Sequence, residues 1–339
     1  MKDKILTVSI AAYQVENYIE QALDSLLDPE TADLLEIFVI DDGGKDGTLE
    51  IARRYESLYP GTVMAVHKEN GGYGSTLNYG IAHATGRYFK QLDGDDWFEK
   101  RNLKKYLEFL AGAEADLVVT PYKMVYTNGK IEDVDRHRMP DGFDTEEFAQ
   151  KGVPLSSFKE GELRSIRLHE LTVKTSLLQE NSVTLSEHCF YTDNEYVLFP
   201  CLYAQTITQY PETIYCYRMG EEGQSVSLAG RIKHWTDAEE IVFRLAEAFE
   251  ARKDALCEAV RGSLMEQLCE ITLFQAGNYI VYPEQKEAFS RCKAFCARLR
   301  GHQELCGEVC RRFTLVRAAM KVPYAGFGIF RRYYAGRIH

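Results

Sequence analysis

Short apolar runs and amphipathic stretches alternate along the first third of the chain. Ile5–Ala12 is rich in β-formers, and the segment after it places Ile19, Ala22, Leu23, Leu26 and Leu27 on one helical stripe. Leu35–Ile40 predicts a second buried strand that stops abruptly at Asp41-Asp42-Gly43-Gly44. A helix over about Thr48–Tyr59, a strand at Thr62–His67, a helix near Tyr73–Ala84 and a strand at Arg87–Leu92 follow. Strands separated by helices imply right-handed crossovers and a mostly parallel sheet. In such sheets ligands bind beyond the carboxyl ends of the strands. The two densest acidic turns, Asp41-Asp42 and Asp93-Gly94-Asp95-Asp96, both fall at such ends.

Beyond Leu117–Thr120 the pattern loosens. Asn128-Gly129 between Lys123–Tyr126 and Ile131–Val134 predicts a hairpin. Residues 135–185 are weakly patterned; a helix from Asp193 and a strand pair at Thr206–Gln209 and Ile214–Tyr217 come next. From Arg231 to about Phe313 the periodicity is helical almost throughout. The expectation is an α/β chain: a Rossmann-like, mostly parallel sheet flanked by helices over 1–225, an α-helical appendage over 226–312, and a basic, aromatic tail over 313–339.

Composition narrows the function. A net charge of −11 over 339 residues argues against a nucleic-acid partner, which needs clustered Lys and Arg to neutralise phosphate. The tail is a separate electrostatic object, with Arg311, Arg312, Arg317, Lys321, Arg331, Arg332 and Arg337 and no acidic residue after Arg311. Its aromatics suit either the face of an anionic membrane or the acidic body of the chain or of a partner subunit. There is no secretory pattern after Met1 and no apolar run near 20 residues, so a cytoplasmic protein is expected, with the tail as the candidate contact to the inner membrane face. Cys292, Cys296, Cys306 and Cys310 form two pairs at helical spacing; packed helix faces account for them better than a zinc site, whose ligands are usually closer together. Homo-oligomerisation leaves no mark in the sequence.

Asp93-Gly94-Asp95-Asp96 carries the sharpest chemistry. Three carboxylates within four residues repel one another, and a buried set of this kind calls for a cation. Hard oxygen donors suit Mg²⁺ or Mn²⁺. A solvated acidic turn is the plainer alternative, but this one ends an apolar strand and leads into Trp97-Phe98. Asp41-Asp42 can accept hydrogen bonds from a ribose or a base, while Asp46 or Thr48 caps the next helix. The Asn70-Gly71-Gly72-Tyr73-Gly74-Ser75 turn suggests a phosphate cradle, although it matches neither the dinucleotide fingerprint nor the Walker loop.

Taken in order, these motifs resemble family 2 glycosyltransferases of the GT-A fold. The resembling stretches are Val8–Tyr13 with Tyr18-Ile19, Phe38–Thr48, Asn70–Gly72 through Asn78, Gly80 and Gly86, and Leu92–Asp96; the likeness resumes at Tyr191-Thr192-Asp193 and Tyr217-Arg218. The resemblance implies an inverting, hexosyltransferase-type enzyme that takes a nucleotide-diphospho-sugar, most often a UDP-sugar, and a glycan or lipid-linked hydroxyl acceptor in cell-surface polysaccharide or glycolipid synthesis. It implies that Ala11, Tyr13, Asp41 and Asp42 line the nucleotide pocket with Gly71, that Asp93 touches the ribose, and that Asp95 with Asp93 holds the metal. Asp193 falls at the catalytic base, with Thr192 where the family has a Glu. Arg218, ahead of Gln224–Ser227, would meet the leaving diphosphate, and Asp96 and Trp97 would face the acceptor.

Two rivals remain at this level. A sugar-phosphate nucleotidyltransferase would carry a glycine- and arginine-rich loop after the first strand, and Ala12–Asn17 is not one. A nucleotide-sugar-binding module without turnover is favoured only by Thr192.

Overall fold

The computed structural model describes residues 3–143, 145–220 and 227–319, together with 321, 327, 328 and 332. Most of the basic tail therefore lies outside the described residues, as does Gln224–Val226. The chain divides into two compact units, residues 1–220 with 257–260 and residues 221–256 with 261–339.

In the first unit β1 (Leu6–Ala12), β2 (Leu35–Asp41), β3 (Val63–His67) and β4 (Tyr88–Asp93) alternate with α1 (Ile19–Leu26), α2 (Thr48–Leu58) and α3 (Tyr73–His83). After β4 come β5 (Trp97–Phe98), α4 (Lys100–Gly112), β6 (Leu117–Val119), β7 (Tyr122–Tyr126), β8 (Ile131–Val134), α5 (Glu146–Lys151) and β9 (Val153–Pro154). The unit continues with β10 (Leu171–Lys174), α6 (Thr175–Glu180), α7 (Asp193–Cys201), β11 (Thr206–Gln209) and β12 (Tyr215–Met219). Eight strands form one sheet in the order β3-β2-β1-β4-β10-β6-β11-β9, with the first four parallel. β10 runs antiparallel to both of its neighbours. A second sheet, β5-β12-β7-β8, includes the expected Asn128-Gly129 hairpin between β7 and β8.

One expectation is corrected. The strands at Thr206–Gln209 and Ile214–Tyr217 exist but do not pair: β11 lies beside β6 in the large sheet, and β12 lies between β5 and β7 in the small one. Local β-propensity finds strands, but the choice of neighbour depends on burial and tertiary packing.

β2 is buried along its whole length, because a central parallel strand is covered on both faces. Leu6, Val8 and Ile10 of β1, Ile37 and Val39 of β2 and the α1 stripe of Ile19, Ala22, Leu23 and Leu26 are all fully shielded from solvent. Each such side chain contributes about 1.5–3 kcal/mol on burial. This core holds the strands in place, and the acidic turns follow at the carboxyl ends of β2 and β4.

The second unit is helical among the described residues: α8 (Leu228–Lys233), α9 (Asp237–Arg252), α10 (Glu258–Val281) from Arg261 onward, α11 (Gln285–Leu299), α12 (Gln303–Arg312) and α13 (Thr314–Ala319). Phe243 and Phe295 meet at 5.2 Å, and Trp235 stacks on Tyr282 at 3.9 Å. Cys292 and Cys296 are buried in this packing. Among the described residues the four cysteines of the two helical pairs do not gather as a metal-ligand group. No described helix is long and apolar enough to cross a membrane.

Candidate active site

Strand register sets the site. Ala12 of β1 pairs with Asp41, Asp41 pairs with His67 of β3, and Ala11 pairs with Asp93 of β4. The carboxyl ends of four parallel strands thus form one line, and the strand order reverses between β1 and β4, where a ligand crevice is expected. Tyr13, just past β1, is 53% exposed beside it.

The turn after β2 is internally satisfied. Asp41 accepts the Gly44 N–H at 3.1 Å and meets His67 Nδ1 at 2.6 Å. Asp42 accepts the Gly71 and Gly72 N–H groups at 2.9 and 2.8 Å and pairs with Lys68 Nζ at 2.7 Å. Both carboxylates are buried. Asp42, expected to face the nucleotide, therefore shapes the glycine-rich loop from behind. Gly71 is brought to the start of α3 by that loop.

The turn after β4 is the opposite case. Gly94 brings it hard against β1: its N–H reaches the Ala11 carbonyl at 3.0 Å, and a Cβ there would come within 2.8 Å of Val15. Any larger residue would lift the turn away from the strand ends. Asp93 is pushed up to about 7, by burial first and then by the charges of Asp95 and Asp193, with the Tyr73 hydroxyl opposing. Its Oδ1 is buried without a hydrogen-bond partner. Asp96, expected toward an acceptor, is buried, accepting the Tyr215 hydroxyl and the Arg218 N–H at 2.7 Å each. Burial and the neighbouring Asp93 and Asp95 still hold its carboxyl well above the usual range.

Two residues complete this side. His169 places a ring nitrogen in a group with Asp93 and Asp96, their ligand atoms all within 4.8 Å of one another. It stacks on Tyr217 at 4.1 Å, and burial, Lys90 and Arg167 push it down to about 3, so the ring is neutral. Lys90 is fully buried in β4 and donates to the His169 and Leu171 carbonyls at 3.0 Å. Burial drives it down to about 7, with Glu170 opposing. Asp95 is half-buried and outside that ligand group.

Asp193 opens α7, and burial raises its carboxyl. The irregular segment ahead of it is pinned to the glycine-rich helix. Asn78 exchanges two hydrogen bonds with Leu185, Glu195 accepts from Ser186 N–H and Oγ, and the His188 N–H reaches Gly71 O at 2.5 Å. A Cβ on Gly74 would lie 1.9 Å from the Ser186 carbonyl, so only glycine permits this docking. His188 and Tyr191 adopt positive φ within it, at 55° and 68°. Arg218 is clasped locally: its guanidinium lies 4.8 Å from the ring centroids of both Tyr18 and Trp97 and donates to Asp95 O and Gln21 Oε1.

Residues 7–160 match the model of glycosyl transferase family 2. Residues 7–160, a little under half of the chain, thus correspond to a family 2 glycosyltransferase domain. It is 27% identical over 222 residues to EpsH of Bacillus subtilis, covering 65% of this chain and 62% of that protein. Identity to glycosyltransferase GlyA of Streptococcus pneumoniae is 30% over 120 residues, 35% of this chain and 17% of the relative. Chondroitin synthase of Pasteurella multocida is 34% identical over 128 residues, 38% of this chain and 13% of that one. The chain thus spans about three fifths of EpsH and less than a fifth of the other two. Among solved structures, residues 1–349 of S. aureus TarS in complex with UDP-GlcNAc share the fold with a TM-score of 0.63 and 20% identity, over 98% of this chain and 92% of that one. The mannosyltransferase PcManGT of Pyrobaculum calidifontis, in complex with GDP-Man and Mn2+, has a TM-score of 0.51 at 17% identity, over 97% and 86%.

Within the first unit, Asp93, Asp95, Asp96 and Asp193 lie close enough to act on one another electrostatically with Tyr73, Tyr215 and Tyr217. Those tyrosines, His67, His169 and Lys90 were not singled out in the sequence. Tyr73 and Tyr217 stand inside matched motifs, which is a signal of sorts. His169 and Lys90 offer none, since one lies in the weakly patterned stretch and the other interrupts an apolar strand.

Proposed function

We propose that this chain is an inverting, metal-dependent glycosyltransferase that moves a sugar from a nucleotide-diphospho-sugar, a UDP-sugar in the first place, to a hydroxyl acceptor. The observation that carries the reading is the crowded carboxylate set at the end of β4, in which Asp93 Oδ1 is buried and unpartnered. The fold it shares with chains that bind UDP-GlcNAc or GDP-Man supports a nucleotide-sugar donor.

The residues present fit a divalent cation. Carboxylates with a neutral imidazole are a suitable donor set for Mn²⁺ or Mg²⁺, and Asp93, Asp96 and His169, whose ligand atoms gather within 4.8 Å, would hold it, with Asp95 from the same turn adding its charge. A cation bound there offsets the negative charge that develops on the departing diphosphate. Ala11 and Tyr13 flank the nucleoside, and Gly71 presents backbone at the start of α3. Asp193 takes the proton of the attacking acceptor hydroxyl; its raised affinity for a proton suits that role. One displacement inverts the anomeric carbon. Arg218 holds the β12 end and the acidic turn together through Asp95 O, so its effect on the diphosphate is exerted through the turn. The likeness to a chondroitin synthase favours an acceptor in polysaccharide synthesis, and the basic tail is the segment to carry peripheral membrane contact.

The test is nucleoside diphosphate release from UDP-, GDP- and CDP-sugars with Mn²⁺, Mg²⁺ or EDTA. Metal-dependent release that disappears in Asp193→Ala, with donor binding kept, supports the assignment. Absence of any nucleotide binding overturns it.

A further inference from the structure

Asp41 was expected to read the nucleobase, yet its side chain is 2% exposed and both of its oxygens are engaged, one by the Gly44 N–H and the other by His67. His67 stands directly opposite it in the β2–β3 register, and its side chain is 51% exposed. We propose that His67, oriented by Asp41, is the group that faces the nucleobase of the donor, and that it selects a base whose pairing edge offers a ring N–H. The inference rests on the donor-binding reading above.

The chemistry follows from the 2.6 Å contact between His67 Nδ1 and Asp41 Oδ2. A carboxylate only accepts, so Nδ1 carries the hydrogen, and in the neutral ring Nε2 keeps its lone pair. That lone pair points away from Asp41. The buried carboxylate behind fixes the tautomer and the ring orientation, as carboxylates do for metal-bound imidazoles. Uracil and guanine meet such an acceptor with a ring N–H. Cytosine and adenine meet it with a ring-nitrogen lone pair, which is repelled.

Position supports the same assignment. β3 lies three strands from β4 in the sheet. Three strand spacings of about 4.8 Å each separate His67 from Asp93 by about 14 Å, the reach of an extended nucleoside diphosphate. Between them the strand end of β1 offers only Ala11 and Ala12, side chains too small to block a ligand laid across it.

Isothermal titration at pH 8 with Mn²⁺ compares UDP with CDP and GDP with ADP, on wild type, His67→Ala, His67→Gln and Asp41→Asn. Wild type is expected to prefer the N–H-bearing base of each pair by about tenfold, the size of one well-placed hydrogen bond. His67→Ala removes both preferences while CDP and ADP bind within about twofold of wild type. His67→Gln, which can donate to Asp41 and present its carbonyl, restores part of the preference, and Asp41→Asn narrows it by freeing the tautomer. A preference unchanged in His67→Ala overturns the inference and leaves the donor reading intact. Failure of wild type to bind any nucleoside diphosphate overturns both.

Discussion

The two acidic strand ends look alike in sequence and are built on opposite principles. At the end of β2, Asp41 and Asp42 are buried, and each of their four oxygens has a partner from a backbone N–H, a lysine or a histidine. At the end of β4, Asp96 also has both oxygens engaged, but Asp93 Oδ1 has no partner, and crowding with Asp95 holds the protons of Asp93 and Asp96 well above the usual carboxylate range. A buried charge with full hydrogen bonding stabilises its loop, and an under-satisfied one invites a ligand to complete it. The first turn is scaffold; the second is chemistry that the scaffold aims.

The largest effect expected tests the second half of that contrast. Asp95→Ala should lower metal-dependent nucleoside diphosphate release by about 10²–10³-fold or more, the loss seen when one electrostatic group is removed from a developing charge. Its melting temperature without metal should stay level or rise, because a repulsive charge is gone. A steady-state assay paired with a thermal melt in EDTA reads both. Loss of stability together with activity would place the β4 turn with the scaffold.

Asp42→Ala should do the reverse. Removing it leaves the Gly71 and Gly72 N–H groups and Lys68 without their acceptor, at a cost of about 3–5 kcal/mol in urea unfolding. Nucleotide binding should fall only as far as the glycine loop is disordered. A cost under about 1 kcal/mol would show that water replaces these bonds readily, and the contrast between the turns would collapse.

How much of this was legible follows the same line. Apolar runs that end in acidic residues announce strand ends, so Asp41, Asp42, Asp93 and Asp95 could be found without the fold. Whether a carboxylate is satisfied depends on residues far away in the chain. Tyr215 reaches Asp96 across 119 positions, and Asn78 reaches Leu185 across 107. His169 lies in a stretch with no readable period, because β10 is only four residues long and its neighbours supply its context. Lys90 reads as an error in an apolar strand until its carbonyl partners are seen. Sequence pattern exposes which groups are present at a strand end, and tertiary contacts decide what each one does.

A pH series sharpens the comparison further. Asp93 binds its proton up to about pH 7 in the folded chain and to about 3.9 when unfolded. Between those values the folded state holds the extra proton, so this group's contribution is full below about pH 4 and is lost as pH rises through 7. In EDTA, urea midpoints of wild type should therefore fall across that window relative to Asp93→Asn, which has no proton to lose. Curves that run parallel would mean that the crowding at β4 is relieved by solvent.

The smallest effect belongs to the exposed contacts around the first turn. Glu16 accepts the Gly47 N–H at 2.6 Å, and its own N–H donates to Asp46, both at the surface. If the β2 turn owes its order to the buried set around Asp42, these outer bonds add little, since water competes for them and exposed polar contacts are typically worth under about 1 kcal/mol. Glu16→Gln should then shift the urea midpoint by no more than about 0.5 kcal/mol and leave nucleoside diphosphate release unchanged. A loss comparable to that of Asp42→Ala would move the stabilising work from the buried carboxylate to the loop surface. The β2 turn would then be held by solvent-facing bonds, and burial could no longer explain why one acidic strand end is rigid scaffold and the other is reactive.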